Sequence, residues 1–281
     1  MRLSVISINL NNINGLRKTI ESVFAQTFID FEFIVLDGDS TDGSKEVIKS
    51  FNSKERLIKW ISEPDTGVYQ AMNKGIRIAK GDYLLFLNSG DFLVNENVLS
   101  EVFSMDHTAG FILGRCNISE SGKIIHTTSP PDIITFGYLY EVGLAHQSTF
   151  IKHEMFEKYG LYREDFKYNA DIEFWYRTII LDCCSTETLK TIVSDYNTDG
   201  ISSKDFKTDA YKNEISEIYS HPLLQLFIPD YDAWINERNE LQIMYWVKSR
   251  KILYGLLMNI YNFATWLMKL KKNLIKGFQS K

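Results

Sequence analysis

Four aspartates stand where an α/β protein could use them for chemistry. Asp37, Asp65 and Asp91 each follow a predicted strand, and Asp171 opens a predicted amphipathic helix. Open α/β sheets bind ligands beyond the carboxyl ends of their strands. Carboxylates in such places can hold a hard cation such as Mg²⁺ or Mn²⁺, or take a proton from a hydroxyl group. Each aspartate also has a structural interpretation, because aspartate commonly bonds the backbone of its own turn or begins a helix.

The elements that would position these aspartates alternate between strands and helices. Amphipathic spacing predicts helices at Gly15–Ala25, from about Lys45, and in the stretch that ends at Gly81. Strands joined through helices imply right-handed βαβ units, so the sequence predicts an α/β fold with a mainly parallel sheet flanked by helices. The strands are predicted at Arg2–Ile8, Phe31–Leu36, Leu57–Ile61 and Tyr83–Leu87.

After Asp91 the pattern is looser. Phe111–Ile118 and Lys123–Thr127 suggest a hairpin around Ser121 and Gly122. His146–Ile151 is typical of a short strand and Asn169–Ile180 of a helix, and long helices are predicted for the remainder.

Several segments resemble the family-2 glycosyltransferases of the inverting, nucleotide-diphosphate-sugar-dependent class. The resemblance covers about residues 2–200, and its segments occur in the order expected of the family. They are SVISINLNN, FEFIVLDGDSTDGSKEVI, EPDTGVYQAMNKGIRIAKGDYLLFLNSGD, GLAHQSTF and YNADIEFWYR. The resemblance implies a GT-A-type fold and the transfer of a sugar with inversion. The Asn-Ser-Gly-Asp ending is similar to the branch that builds bacterial extracellular polysaccharides, and the processive Gln-x-x-Arg-Trp signature is absent from the sequence.

The resemblance assigns a nucleotide-sugar site, with a UDP-type donor favoured, to residues at the ends of the predicted strands. The aspartate pair of the family's Asp-Asp-Gly-Ser motif is reduced here, since Gly38 follows Asp37. Lys74 either reaches a phosphate or is a solvated helix charge. The residues assigned to the donor are Asn9, Asn11, Asp37, Asp39, Asp65, Gly67, Asn73, Lys74, Asn88, Ser89 and Gly90.

The metal-binding motif of the family is also altered. The aspartates of Asp-X-Asp fall at Asn88 and Gly90, so Asp91 is the candidate ligand for Mg²⁺ or Mn²⁺. This departure predicts a metal site that is weakened or built differently. The backbone amides of Ser89 and Gly90 offer another way to hold phosphate, as an anion nest.

The acceptor side is assigned to the later segments. The resemblance makes Asp171 the general base, and Glu173 is the alternative base. His146 and Gln147 match a pair near the diphosphate or the acceptor. Trp175 either lines the acceptor side or packs in the core.

Composition limits the partners and the compartment. A net charge of −5 argues against a general nucleic-acid binder, and Cys116, Cys183 and Cys184 fit a reducing cytosol without a structural metal. We expect no signal peptide, because the chain begins directly with a strand pattern.

The C-terminal residues differ from the rest in charge. Residues 241–281 hold seven lysines and one arginine without an acidic residue, which predicts a basic helical tail after a transferase domain at 1–240. Residues 245–277 are predicted to lie on the anionic inner face of the plasma membrane, near a saccharide or polyprenyl-diphosphate-linked acceptor. Alternatively, the tail packs on its own domain or on a second subunit in a homo-oligomer.

Two other functions remain open at this point. A sugar nucleotidyltransferase would need a glycine-rich, basic phosphate loop after the first strand, which Asn9–Gly15 does not supply. A non-catalytic glycosyltransferase-like module that binds a saccharide or a partner would explain the altered Asp-X-Asp motif.

Overall fold

The computed structural model describes residues 1–51, 58–198, 208–250, 256, 258–265 and 268. Four parallel strands form one half of its sheet, in the order β3-β2-β1-β4. Every residue of β1 is buried, as its apolar composition and central place predict. These strands are β1 Leu3–Asn9, β2 Phe31–Asp37, β3 Ile58–Ser62 and β4 Tyr83–Phe86.

Three helices connect these strands, as predicted. Leu16, Ile20 and Val23 lie on the buried side of the first helix and pack in one core cluster with β1 and β2. The predicted start of the second helix near Lys45 is one residue late. The helices are α1 Ile13–Phe24, α2 Ser44–Phe51 and α3 Val68–Ile78.

The other half of the sheet is largely antiparallel, and it completes the order β3-β2-β1-β4-β8-β6-β9-β5 with β7 paired to β6. The predicted hairpin is confirmed, and Ser121 and Gly122 at its turn both have positive φ. The strands are β5 Phe92–Leu93, β6 Phe111–Glu120, β7 Lys123–Thr127, β8 Thr149–Lys152 and β9 Thr186–Asn197.

The sequence did not predict β9, because polar residues fill much of it and two of them, Ser194 and Asp195, are buried. Two other predictions were partly wrong. A short 3₁₀ turn, His146–Ser148, precedes β8, and the predicted helix 169–180 consists of α7 Ala170–Trp175 followed by a π-helical turn, Tyr176–Ile180.

Helices fill the remainder of the described chain. Short helices are α4 Val98–Val102, α5 Phe136–Glu141 and α6 His153–Tyr159, and longer ones are α8 Asp209–Tyr219 and α9 Pro222–Ser249. The chain divides into two compact units, Met1–Ser220 and His221–Lys281.

The predicted boundary at residue 240 falls inside α9 and stays a prediction. Much of the predicted tail, and residue 57 of the third predicted strand, lie outside the described residues. Within the described ranges, no helix combines the length and the apolar character that crossing a bilayer requires.

Candidate functional site

Asn9 and Asp37 end neighbouring strands and face each other in register. Asn9 Nδ2 donates to Asp37 Oδ1 at 2.8 Å, and Asp37 Oδ2 accepts from Ser40 N at 3.0 Å and Ser62 Oγ at 2.6 Å. Burial alone would raise the pKa of Asp37, but the hydrogen bonds from Ser40, Ser62 and Asn9 outweigh it and lower the pKa. Asp37 is therefore an ionised anchor for the surrounding loops.

The loop after β2 is shaped by Asp65, which lies over Gly38. A Cβ added at Gly38 would stand 2.9 Å from Asp65 Oδ2, so Asp65 must shift before a larger residue fits there. Gly67 N donates to Asp65 Oδ1 at 3.2 Å. The carboxylate of Asp65 thus takes up space that a side chain at position 38, such as the family's second aspartate, would need.

Asn11 and Asp39 hold the rim of the same loop region. Both have positive φ, a conformation that Asn and Asp adopt more readily than most residues. Asn11 Oδ1 accepts from Thr41 N at 2.9 Å, and Asp39 pairs with Lys45 at 2.5 Å. Asp39 is half exposed, so it remains open to solvent at this rim.

The phosphate nest predicted at Ser89 and Gly90 is wrong for this conformation. Ser89 N donates to Ile8 O at 3.0 Å, and Gly90 N donates to Thr19 Oγ1 at 3.0 Å. Neither amide is left for a phosphate. The turn instead fixes the end of β4 against α1.

Asn73 has a structural role, and its predicted contribution to the donor pocket stays a prediction. It is 1% exposed, and its amide bonds both the N–H and the C=O of Tyr162, at 3.1 and 2.9 Å. Asn73 therefore joins α3 to the segment that leads toward α7. The next residue of α3, Lys74, pairs with Glu63 at 2.7 Å.

Asp171 lies in the first turn of α7 with donors on both sides. Its Oδ1 accepts from Tyr69 OH at 2.8 Å and from Ile172 N at 3.0 Å, and its Oδ2 is 3.4 Å from His146 Nδ1. The side chain is 13% exposed, which leaves a way to solvent. Tyr69, a residue absent from the sequence prediction, thus meets the candidate base from a helix 102 positions earlier.

The backbone before Asp171 is held by Glu214 of α8. The two carboxylate oxygens of Glu214 accept from the successive amides of Lys167, Tyr168 and Asn169, at 2.6, 3.0 and 2.9 Å. Asn169 Nδ2 donates to Glu214 as well, at 3.0 Å. Glu214 of another helix therefore holds the backbone segment that leads into α7, and no local pattern in the sequence revealed it.

Glu173 and Trp175 both make structural contacts, and for Trp175 this agrees with the predicted alternative of core packing. Glu173 forms a two-contact ion pair with Arg177, with both nitrogen-to-oxygen distances 2.9 Å. This ion pair holds the Glu173 carboxylate against the Arg177 guanidinium. Trp175 is 2% exposed and packs in the core, where it cannot line an open acceptor site.

His146 contacts the candidate base, with its Nδ1 3.4 Å from Asp171 Oδ2. Burial would lower the pKa of His146, but its contact with Asp171 and the negative charges of Asp171 and Asp91 raise the pKa above its usual value. Its Nε2 is buried and finds no partner in the described part of the chain. A buried donor of this kind is costly unless a ligand satisfies it.

Asp91 lies at the end of the turn that follows β4, and it is 7% exposed. The pKa of Asp91 is raised to about 7, chiefly by burial and also by the charge of Asp195 on β9, although His146, Asn88 and Gln147 act to lower it. Gln147 therefore contacts Asp91, and its place near the diphosphate or the acceptor stays a prediction. Asp195 was missed together with its strand.

The residues present do not form a complete metal site. Across the described ranges, no three His, Cys, Asp or Glu side chains are grouped so that they could hold a metal ion. We therefore assign no step to a metal.

Known proteins resemble this chain in sequence. The family model described as "Glycosyl transferase family 2" matches residues 4–165. An uncharacterized glycosyltransferase of Mycobacterium tuberculosis is 32% identical over 212 residues, which are 72% of this chain and 77% of the relative. A PGL/p-HBAD biosynthesis glycosyltransferase of Mycobacterium bovis is 29% identical, over 69% of this chain and 76% of the relative.

Solved structures share the fold at lower identity. S. aureus TarS 1–349 in complex with UDP-GlcNAc has a TM-score of 0.58 at 17% identity, over 70% of this chain and 58% of that one. The mannosyltransferase PcManGT from Pyrobaculum calidifontis, in complex with GDP-Man and Mn²⁺, has a TM-score of 0.54 at 15% identity, over 69% of this chain and 56% of that one. This chain therefore spans little more than half of either structure. The fold is GT-A-like, and the chain belongs to glycosyl transferase family 2 and is a glycosyltransferase.

Proposed function

We propose that the protein transfers a sugar from a nucleotide-diphosphate sugar with inversion, and that Asp171 is the general base. The observation that carries this proposal is the partly open Asp171 carboxylate, held by Tyr69 and Ile172 N beside His146. A base must be fixed within hydrogen-bond reach of the hydroxyl that it deprotonates. Asp171 meets this condition better than Glu173, which Arg177 neutralises.

The chemistry is a single displacement. An acceptor oxygen attacks the anomeric carbon, its proton passes to Asp171, and the bond from that carbon to the diphosphate oxygen breaks. Charge grows on the leaving diphosphate, so a preorganised cation lowers the barrier. His146, whose pKa is raised and whose Nε2 is unpartnered within the described chain, supplies a positive charge and a donor for that group.

Unsatisfied acceptors at the strand ends support a donor site for the nucleotide sugar. Asn9 Oδ1 and Asn88 Oδ1 are both buried and without a hydrogen-bond donor in the described part of the chain. Leaving such atoms unpaired costs about 1–3 kcal/mol each. The hydroxyl or N–H groups of a nucleotide sugar would satisfy them, beside the half-exposed Asp39.

The donor and acceptor classes follow from the related proteins. TarS was solved with UDP-GlcNAc and PcManGT with GDP-Man, and we favour a UDP-sugar donor here. The name of the M. bovis relative refers to PGL biosynthesis. We therefore propose a saccharide or polyprenyl-diphosphate-linked acceptor in surface polysaccharide or glycolipid synthesis, used non-processively. The basic residues 245–277 would keep the protein at the cytoplasmic face of the plasma membrane.

The first test is binding. Thermal unfolding is followed with UDP, GDP, UDP-GlcNAc, UDP-glucose and GDP-mannose, because a ligand that binds the native state raises its stability. A UDP compound should raise Tm more than its GDP counterpart. If none of these compounds shifts Tm, the donor proposal is wrong.

The second test is turnover, measured as nucleoside diphosphate released from the preferred donor with water as acceptor. Asp171→Asn should reduce release by about 10²-fold or more while donor affinity stays unchanged, since proton removal alone is lost. Asp106→Asn is the control, because Asp106 is fully exposed and pairs with Arg2 at the opposite end of β1. Wild-type turnover by Asp171→Asn would show that Asp171 is not the base.

A further inference from the structure

The hydroxyl of Tyr69 has two acceptors at the same distance. It lies 2.8 Å from Asp171 Oδ1 and 2.8 Å from the carbonyl oxygen of Tyr168. A phenol carries one proton, so it gives a full hydrogen bond to one acceptor at a time. The two acceptors flank the first turn of α7, whereas Tyr69 belongs to α3.

The ring of Tyr69 is held in place by its surroundings, so the main motion left to the side chain is rotation of its hydroxyl hydrogen about the C–O bond. The side chain is buried at 5% exposure, and its ring packs against Tyr162 with centroids 5.7 Å apart. Glu214 fixes the Tyr168 amide from the other side, at 3.0 Å. Burial and the charge of Asp171 raise the pKa of Tyr69 well above its usual range, so the phenol stays a neutral donor.

We propose that Tyr69 is a positioning residue for Asp171, and that its hydroxyl turns between Asp171 and the Tyr168 carbonyl as Asp171 gains and loses a proton. The inference rests on the proposed role of Asp171 as the base. While Asp171 is ionised, Tyr69 donates to Oδ1 and holds the carboxylate in place. Once Asp171 has taken the proton of the acceptor on Oδ2, Oδ1 is the carbonyl oxygen of a neutral acid and a weaker hydrogen-bond acceptor, so Tyr69 donates to the Tyr168 carbonyl instead. Tyr69 thus keeps a hydrogen-bond acceptor in both protonation states of the base without movement of a heavy atom.

Tyr69→Phe tests the proposal, because it removes the hydroxyl and keeps the ring. The assay is release of UDP from the UDP-sugar that the wild type uses fastest. We expect kcat to fall about 10-fold, the change that loss of a hydrogen bond to a charged group produces, with KM unchanged. The acid limb of the kcat/KM profile should move to higher pH, because the ionised carboxylate loses a stabilising donor.

Tyr83→Phe is the matched control. Tyr83 is also 5% exposed, and its hydroxyl donates to a backbone carbonyl, Ala109 O, at 2.8 Å. Tyr83→Phe removes a buried phenol bond of the same length at another place in the fold. It should lower Tm as Tyr69→Phe does and leave kcat and the pH profile as in the wild type.

A double-mutant cycle with Asp171→Asn separates the possible outcomes. If Tyr69 acts through Asp171, Tyr69→Phe causes no further loss in the Asp171→Asn background. An equal loss in both backgrounds, or a Tyr69→Phe variant with the wild-type kcat and pH profile, would overturn the inference. If Asp171→Asn alone keeps full activity, the proposed base is wrong instead.

Discussion

The free energy of unfolding should depend on pH because Asp91 binds its proton differently in the folded protein and in the unfolded chain. Burial raises the pKa of Asp91 from 3.8 to about 7, so the folded protein binds this proton more tightly than the unfolded chain does. The stabilising effect of the protonated form is complete below pH 4 and is lost progressively as pH rises from about 4 to about 7. By proton linkage, the free energy of unfolding is lower than at acid pH by about 2 kcal/mol at pH 5, where only the unfolded chain ionises Asp91, and by about 4 kcal/mol at pH 8.

Asp91→Asn removes this titration. We therefore subtract the free energy of unfolding of the wild type from that of the variant at each pH. This difference should be about 2–3 kcal/mol larger at pH 8 than at pH 5, so the variant gains stability relative to the wild type as pH rises. Urea unfolding at both pH values, with a chelator present, measures the difference.

Asp37→Asn is the control for this experiment. Hydrogen bonds lower the pKa of Asp37 despite its burial, so Asp37 is ionised at both pH 5 and pH 8. Its replacement should destabilise the protein by the same amount at the two pH values. A relative stability of Asp91→Asn that does not change between pH 5 and pH 8, or that falls, would refute the reasoning about the buried carboxyl.

Three further predictions concern the base-bearing turn, the metal and the tail. Glu214→Gln removes one of the two carboxylate oxygens that accept backbone amides. It should therefore lower the free energy of unfolding by about 1–2 kcal/mol and reduce UDP release. Wild-type values for both quantities would mean that Glu214 does not support the base. After chelation, Mn²⁺ should increase donor binding and turnover modestly, and an absolute metal requirement with tight affinity would contradict the weakened site. Replacing Lys269, Lys271 and Lys272 with Glu should abolish co-sedimentation with anionic vesicles at low salt and leave nucleotide binding intact. If the unmodified protein already stays in the supernatant, the membrane prediction is wrong and the tail should be sought in an oligomer interface.

The sequence alone determined the first half of the fold and the family. Strands such as Tyr83–Phe86 are short apolar runs, and helices such as α1 show apolar residues at helical spacing. Both signals are local, so they can be recognised without knowing which elements pack together. The family segments were readable for the same reason, because each is a continuous stretch of chain.

The tertiary structure decided what the candidate site residues do. Asp37, Asn73 and Trp175 are buried, and their hydrogen bonds or packing contribute to the fold whether or not they also shape a ligand site. Burial and hydrogen-bond saturation depend on the whole packed chain, so a motif does not reveal them. The amides of Ser89 and Gly90 are occupied for the same reason.

The supports of the candidate base were likewise invisible in the sequence. Tyr69 and Glu214 reach the turn before Asp171 from 102 positions earlier and about 45 positions later. Asp195 lies on β9, a strand whose polar residues hid it from pattern analysis. The sequence identified Asp171 because a local motif carries it, and folding selected its partners because hydrogen bonds depend on distance in space rather than along the chain.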